Sequence, residues 1–276
     1  MSDTRLLDRY LSRIGYHGER AATLAALREL HRLHPPAIPF ENLDPLAGRP
    51  VAIDLDSIAA KLVDRRRGGY CFEHNTLFAH ALTQFGFRVT PLAARVLIGG
   101  GPDAITPRTH MLLRVDIDGD AWIADVGFGG VTLCAPLALA SRDAQPTPHE
   151  PARIDEAPDG AYTLSVQMGD AWKPIYRFDL ARAESVDYEV ANWYTSTSPD
   201  VLFTGNLLAC RPLPEGRAIL FNDRYSECDP QWRRTERTLG SARELETCLR
   251  ERFGIDTAGF DVDALYARVA GRGASL

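Results

Sequence analysis

Near Phe87 the apolar period of the chain changes from helical to alternating, and this switch constrains the fold more than any other feature. Before it, residues 20–34 place Leu24, Leu27 and Leu30 on one stripe, and Pro35-Pro36 is expected to stop that helix. Residues 57–67 predict a second helix with Ile58, Leu62 and Val63 inward and Gly68-Gly69 as its terminator. A third is expected from about Cys71 to Gln84, burying Leu77, Phe78 and Leu82. After the switch, residues 88–98, 110–117 and 121–126 read as strands. A proline-rich connection follows at 146–158, and strand character resumes at 161–167 and 175–180, so the middle third is a sheet or small barrel. The last third mixes signals. Residues 202–208 and 217–222 read as strands. Ser241 and Glu244 form a capping box for a helix through Arg252, and Asp261 caps another through Val269. The order is helices, then strands, then mixed α+β.

Composition narrows the function classes. Hydrophobic residues make up 45% and charged residues 25%, so a packed globular chain is expected rather than a disordered one. A net charge of −6 argues against a protein that coats nucleic acid with a basic surface. No apolar run approaches the roughly 18–20 residues of a membrane span, and residues 1–10 lack the apolar centre of an export signal. A cytoplasmic location is therefore expected. Cys71, Cys134, Cys210, Cys228 and Cys248 are odd in number and irregularly spaced, which predicts free thiols rather than a disulfide framework.

One of those thiols has an unusual setting. In Arg67-Gly68-Gly69-Tyr70-Cys71-Phe72-Glu73-His74-Asn75, two glycines break the chain just before a helix. Cys71 then falls where unpaired backbone N–H groups favour a thiolate and can hold an oxyanion beside it. The plainer alternative is a helix cap followed by a small buried residue. A thiolate nucleophile needs a base, and the base an orienting group. Asp118-Gly119 predicts a two-residue turn that pairs Ile117 with Asp120. In that register Met111, Leu113, Val115 and Ile117 share an apolar face with Trp122, Ala124 and Val126. His110 and Asp125 become diagonal neighbours on the opposite face. A metal reading would gather Cys71, His74, His80 and His110, but no second thiolate completes a zinc set, so no metal is expected. The loop Gly127-Phe128-Gly129-Gly130 allows close backbone approach, with Phe128 as an apolar wall. Arg233, Arg234 and Arg237 beside Trp232 form a basic cluster that could meet an anionic cofactor or simply face solvent.

Taken together, RGGYCFEHN at 67–75, IPFENL at 38–43, His110 and ADVGFGG at 124–130 resemble the arylamine N-acetyltransferase family. The resemblance implies an α+β fold: a helical bundle (1–86) carrying the nucleophile, a β-barrel (87–190) carrying His and Asp, and an α/β lid (191–276). It also implies a cysteine-protease-like triad of Cys71, His110 and Asp125. Acetyl-CoA would serve as co-substrate in a ping-pong reaction, with a small arylamine, arylhydrazine or N-hydroxyarylamine as acceptor. By family position, Phe40, Phe128 and Phe203 would line the acceptor pocket, and Thr109, Gly127 and Gly129 would lie near the cofactor's pantetheine end. Three alternatives use the same residues differently. They are a macrolactam-forming amide synthase of the same superfamily, a papain- or transglutaminase-like thiol hydrolase, and a binding module with a structural thiol.

Overall fold

The structure, a computed structural model, describes residues 3–101 and 104–272. Helices Asp3–Ile14, Leu24–Ala37 and Cys71–Gln84 pack around Leu7, Leu11, Leu27, Leu30, Leu77 and Phe78, all buried. The second helix starts where Thr23 caps it, its side chain accepting from the Ala26 N–H at 3.2 Å. It runs through Pro35 and Pro36 to Ala37 rather than stopping at His34. Proline's φ is compatible with helical backbone, but the two rings remove the i→i−4 bonds of the last turn, and the helix ends at Ala37 directly after them.

The expected helix over 57–67 is shorter and less regular. Asp54 caps a turn at Leu55–Ile58, which continues as a π-helix over Ala59–Asp64. Arg66, with φ +53°, turns the chain before the glycines are reached. Gly68 and Gly69 instead serve close approach. A Cβ at Gly68 would lie 2.0 Å from the Pro39 carbonyl oxygen, and one at Gly69 2.5 Å from Glu73 Oε2. Two segments distant in sequence thereby meet, as the Glu41 N–H donates to the Gly69 carbonyl at 2.8 Å.

Among the described residues there are twelve strands, in chain order β1 Phe40–Glu41, β2 Arg88–Val96, β3 Arg108–Ile117, β4 Asp120–Ala124, β5 Leu137–Ala138, β6 Ala152–Glu156, β7 Tyr162–Met168, β8 Ala171–Arg182, β9 Leu208–Pro212, β10 Arg217–Phe221, β11 Arg224–Cys228 and β12 Arg234–Thr238. Seven form an antiparallel sheet ordered β5-β4-β3-β2-β8-β7-β6. Gln145 links its two edges. Its side chain bonds both polar groups of the Ala138 backbone in β5, while its backbone pairs with Ala152 in β6. The sheet is thus nearly closed as a barrel, and edge strands that would otherwise be unpaired are covered. The second sheet, β1-β9-β10-β11-β12, joins Phe40–Glu41 to the last third of the chain.

The β3–β4 hairpin has the register that its turn predicts. Asp118 and Gly119 both take positive φ, and Leu113, Val115 and Ile117 lie opposite Ala124, Trp122 and Asp120. Its two faces bury different cores. Met111, Leu113, Val115, Ile117, Ala124 and Val126 join the helices, while Leu112 and Ile123 join the barrel interior.

Residues 202–208, expected as a strand, form a helical turn at Leu202–Gly205 before β9 begins. Asn42 explains the difference. Its amide donates to the Phe203 and Asn206 carbonyls and accepts from the Leu208 N–H, coiling the segment against β1. The last two helices, Ala242–Phe253 and Val262–Val269, are capped by Ser241 and Asp261 as expected. Among the described residues, no helix is long and apolar enough to cross a membrane.

Candidate active site

Cys71 is the first residue of its helix, and Glu73 Oε2 accepts the Tyr70 N–H at 3.1 Å, so the helix start is held from within. The remaining N–H groups of that first turn have no earlier helical carbonyl to bond, and the positive end of the helix lies at the sulfur. The Cys71 thiol, 5% exposed, lies 3.7 Å from the Thr109 carbonyl on β3.

His110, the next residue on β3, donates from Nε2 to Asp125 Oδ2 at 2.7 Å. Both side chains are buried. Oδ1 of the same carboxylate accepts from Asn75 Nδ2 and from the Gly127 N–H, each at 3.0 Å. Asn75 also reaches the Met111 carbonyl at 2.8 Å and accepts from the Val126 N–H at 3.2 Å, tying the helix that starts at Cys71 to the hairpin. Burial pushes the His110 pKa down, but the Asp125 charge and hydrogen bond, together with Cys71, reverse this and carry it up to about 10. Burial likewise opposes ionisation of Asp125, yet His110 and the Asn75 and Gly127 donors hold it below the ordinary carboxylate range. The imidazole therefore sits between an anion on Nε2 and a thiol that its other nitrogen can serve.

Gly127 is needed for this assembly. A Cβ there would lie 2.9 Å from both Cys71 Cα and His74 Cβ, so no larger residue lets the loop close on the helix. None of the other four cysteines starts a helix, though Cys228 lines the same cavity as Cys71. Burial pushes Cys134 and Cys248 up to about 11 and Cys210 up to about 12, and it raises Cys228 too. All four stay as thiols near neutral pH.

A cavity of about 290 Å³ opens on Cys71. Phe40, Phe128 and Phe203, the three aromatic residues expected at the acceptor pocket, all line it, as do Thr109, His110 and Gly127. Gly129, with φ +101°, is not among the lining residues; a Cβ there would lie 3.5 Å from the Phe40 ring, and Gly130 lines the cavity instead. Of the basic cluster, Trp232 and Arg234 reach the cavity. Arg233 pairs with Asp229, and Arg237 covers the Tyr225 ring. No group of three His, Cys, Asp or Glu is placed to hold a metal ion among the described residues.

Several contributors have no assigned role in the sequence reading. Asn75 lies inside the cysteine motif. Tyr176 packs its ring 4.9 Å from that of His110, a contact across β3, β2 and β8 that only tertiary structure reveals. His31 and His34 lie on the inward stripe with Leu27 and Leu30, and their spacing was the available signal. His74 Nε2 faces the Gly69 and Pro39 carbonyls at 3.1 and 3.2 Å and so carries its proton there. With His74 held neutral by burial, its pKa about 4, its Nδ1 must accept from His34 at 2.9 Å, and His34 in turn accepts from the Tyr10 hydroxyl at 2.8 Å. This row ends on the two loops carrying Phe40 and Cys71.

A thiol at a helix start, a buried His–Asp pair beside it and an apolar cavity are the parts that an acyl-transfer enzyme requires. The chain matches the family described as N-acetyltransferase over residues 23–262. It is 40% identical to arylamine N-acetyltransferase of Escherichia coli (strain K12) over 267 residues, covering 95% of this chain and 94% of that one. It is 38% identical over 253 residues to the Salmonella typhimurium protein named arylamine N-acetyltransferase / N-hydroxyarylamine O-acetyltransferase, covering 91% and 89%. The solved structure of Mycobacterium marinum arylamine N-acetyltransferase in complex with CoA superposes with a TM-score of 0.90 at 38% identity, covering 95% and 98%. The chain belongs to the arylamine N-acetyltransferase family, and it is an acetyltransferase that uses acetyl-CoA.

Proposed function

We propose that Cys71, His110 and Asp125 form the catalytic triad, moving an acetyl group from acetyl-CoA to an arylamine, arylhydrazine or N-hydroxyarylamine by way of acetyl-Cys71. The observation that carries this reading is the cavity itself, which has the Cys71 sulfur and the His110 ring in its lining, with Asp125 bonded behind the ring. The thiolate attacks the thioester carbonyl carbon, forming a C–S bond. The tetrahedral oxyanion collapses, the bond to the CoA sulfur breaks, and His110 protonates that sulfur as CoA leaves. The acceptor nitrogen, or the hydroxyl oxygen of an N-hydroxyarylamine, then attacks acetyl-Cys71. His110 takes the acceptor's proton, and the Cys71 thiolate departs. Asp125 keeps the ring's tautomer and orientation fixed throughout. Phe40, Phe128 and Phe203 offer ring faces and edges to a flat aromatic acceptor, and Thr109 and the glycine loop flank the thioester.

On this reading the three sequence regions divide the labour. Residues 1–86 supply the nucleophile and 87–190 its base and orienting carboxylate, while 191–276 close the cavity's far wall through residues such as Phe203. The five unpaired thiols suit a reducing compartment, hence the cytoplasm, and the partners are small molecules rather than nucleic acid or membrane. The test is intact-protein mass spectrometry after mixing with acetyl-CoA alone. A single acetyl adduct is expected, absent from Cys71→Ser and discharged by an aniline or hydrazine. An adduct that persists in Cys71→Ser would overturn the assignment.

A further inference from the structure

Asp125 is held by more than its carboxylate. The β3–β4 ladder ends at Leu113–Ala124, so the Asp125 backbone N–H leaves the sheet with no strand partner, in a site with no exposure. A buried N–H in that position must find an acceptor elsewhere or remain an unsatisfied donor. It finds one in another region of the molecule. His31, a fully buried residue 94 positions earlier on the Leu24–Ala37 helix, accepts it at Nε2 at 3.1 Å.

We infer that His31 is a positioning residue for the acetyl transfer, its bare Nε2 lone pair fixing the backbone at Asp125 and thereby aiming the carboxylate at His110. The geometry settles the tautomer. A nitrogen that accepts from an N–H carries no proton, so the ring must be neutral and protonated at Nδ1. Burial keeps it so, with a pKa of about 4. The Phe78 ring packs edge-on against the His31 ring, with centroids 5.7 Å apart. Asp125 is then anchored at three points, with Asn75 and the Gly127 N–H on Oδ1 and His31 on the backbone.

The inference rests on Asp125 belonging to the triad, and the test separates the two claims. His31→Leu keeps the volume and removes the lone pair; His31→Gln places an amide oxygen within reach of the same N–H. In His31→Leu, the rate of Cys71 acetylation by acetyl-CoA should fall about tenfold, the weight of one buried hydrogen bond, with the acceptor KM unchanged. The limb of the acetylation pH profile set by the His110 imidazolium should move to lower pH, because a slacker Asp125 supports that imidazolium less well. His31→Gln should bring both back to within about threefold of the parent. Unchanged chemistry in His31→Leu, or an equal fall in both variants, overturns the role of the lone pair. Should the leucine variant not fold, nitrogen NMR of the parent enzyme still decides, since a proton found on His31 Nε2 refutes the inference. Loss of the acetyl adduct from the parent's Cys71 would instead bring down the triad and this inference with it.

Discussion

Two buried polar clusters flank the helix that begins at Cys71, and they do opposite work. On the hairpin side stand His31, Asn75, His110 and Asp125. On the other side Lys61 bonds Glu73 Oε1 and Asp44 Oδ2, each at 2.8 Å, and Arg67 reaches Glu41 at 2.5 Å and Asp44 at 3.1 Å. This second cluster is closed. Each cation meets two carboxylates, and the spare oxygen of Glu73 caps the helix start at Tyr70. The first cluster is open, because the His110 ring also serves the cavity and its sulfur. Charges paired on every side can only hold a shape, whereas a charge with one unmet neighbour can do chemistry.

The comparison predicts that equally buried changes in the two clusters will have unlike effects. Asp125→Asn should lower kcat/KM for acetyl transfer by about a thousandfold, since loss of the anion removes the support of the imidazolium and permits the wrong tautomer. Circular dichroism and thermal unfolding should show the fold retained. A fall of less than tenfold would place the orienting group elsewhere. Lys61→Met should do the reverse. It strands Glu73 and Asp44 without their cation, and breaking a buried pair from one side costs about 3–5 kcal/mol. Denaturant titration should show that loss, while the fraction still folded keeps kcat within about threefold of the parent. If kcat collapses in the folded fraction, the closed cluster takes part in the chemistry and the contrast fails.

The open cluster was the more legible of the two in the sequence. Turn chemistry and binary patterning fix a hairpin register locally, so Asp118-Gly119 and the alternating apolar residues suffice to bring His110 beside Asp125. Cys71 was legible for the same reason, since a Gly-Gly break before an apolar helix is a local signal. The closed cluster had no such signal. Glu41, Asp44, Lys61, Arg67 and Glu73 come from three segments, and charged residues in a sequence read as surface until packing buries them. His31 and Tyr176 were hidden likewise, as they meet Asp125 and His110 across elements that no local rule joins. Local rules misled at residues 202–208, where Asn42 outweighs strand propensity, and at Pro35-Pro36, where the helix runs on through the prolines to Ala37.

Asp44 gives the finest cut between the two clusters, because it sits where the closed one touches solvent. Its side chain is 13% exposed, against 1% for Glu73. Burial opposes its charge, but Lys61 and Arg67 together hold its carboxyl below the ordinary carboxylate range. A carboxyl whose folded pKa is depressed stabilises the fold above its unfolded pKa, and that contribution disappears as pH falls through the folded one. Asp44→Asn should therefore cost about 1 kcal/mol at pH 7, nearer the value of a half-exposed pair than of a buried one, since Glu41 and Glu73 still face the two cations. The difference from the parent in denaturant unfolding should shrink as pH is lowered through the acid range and vanish once the parent's own Asp44 is protonated. Acetyl transfer at neutral pH should stay within about twofold of the parent. A constant stability gap across that range would mean that Asp44 acts through shape rather than charge, and a gap that widens in acid would reverse the sign of its coupling to Lys61 and Arg67.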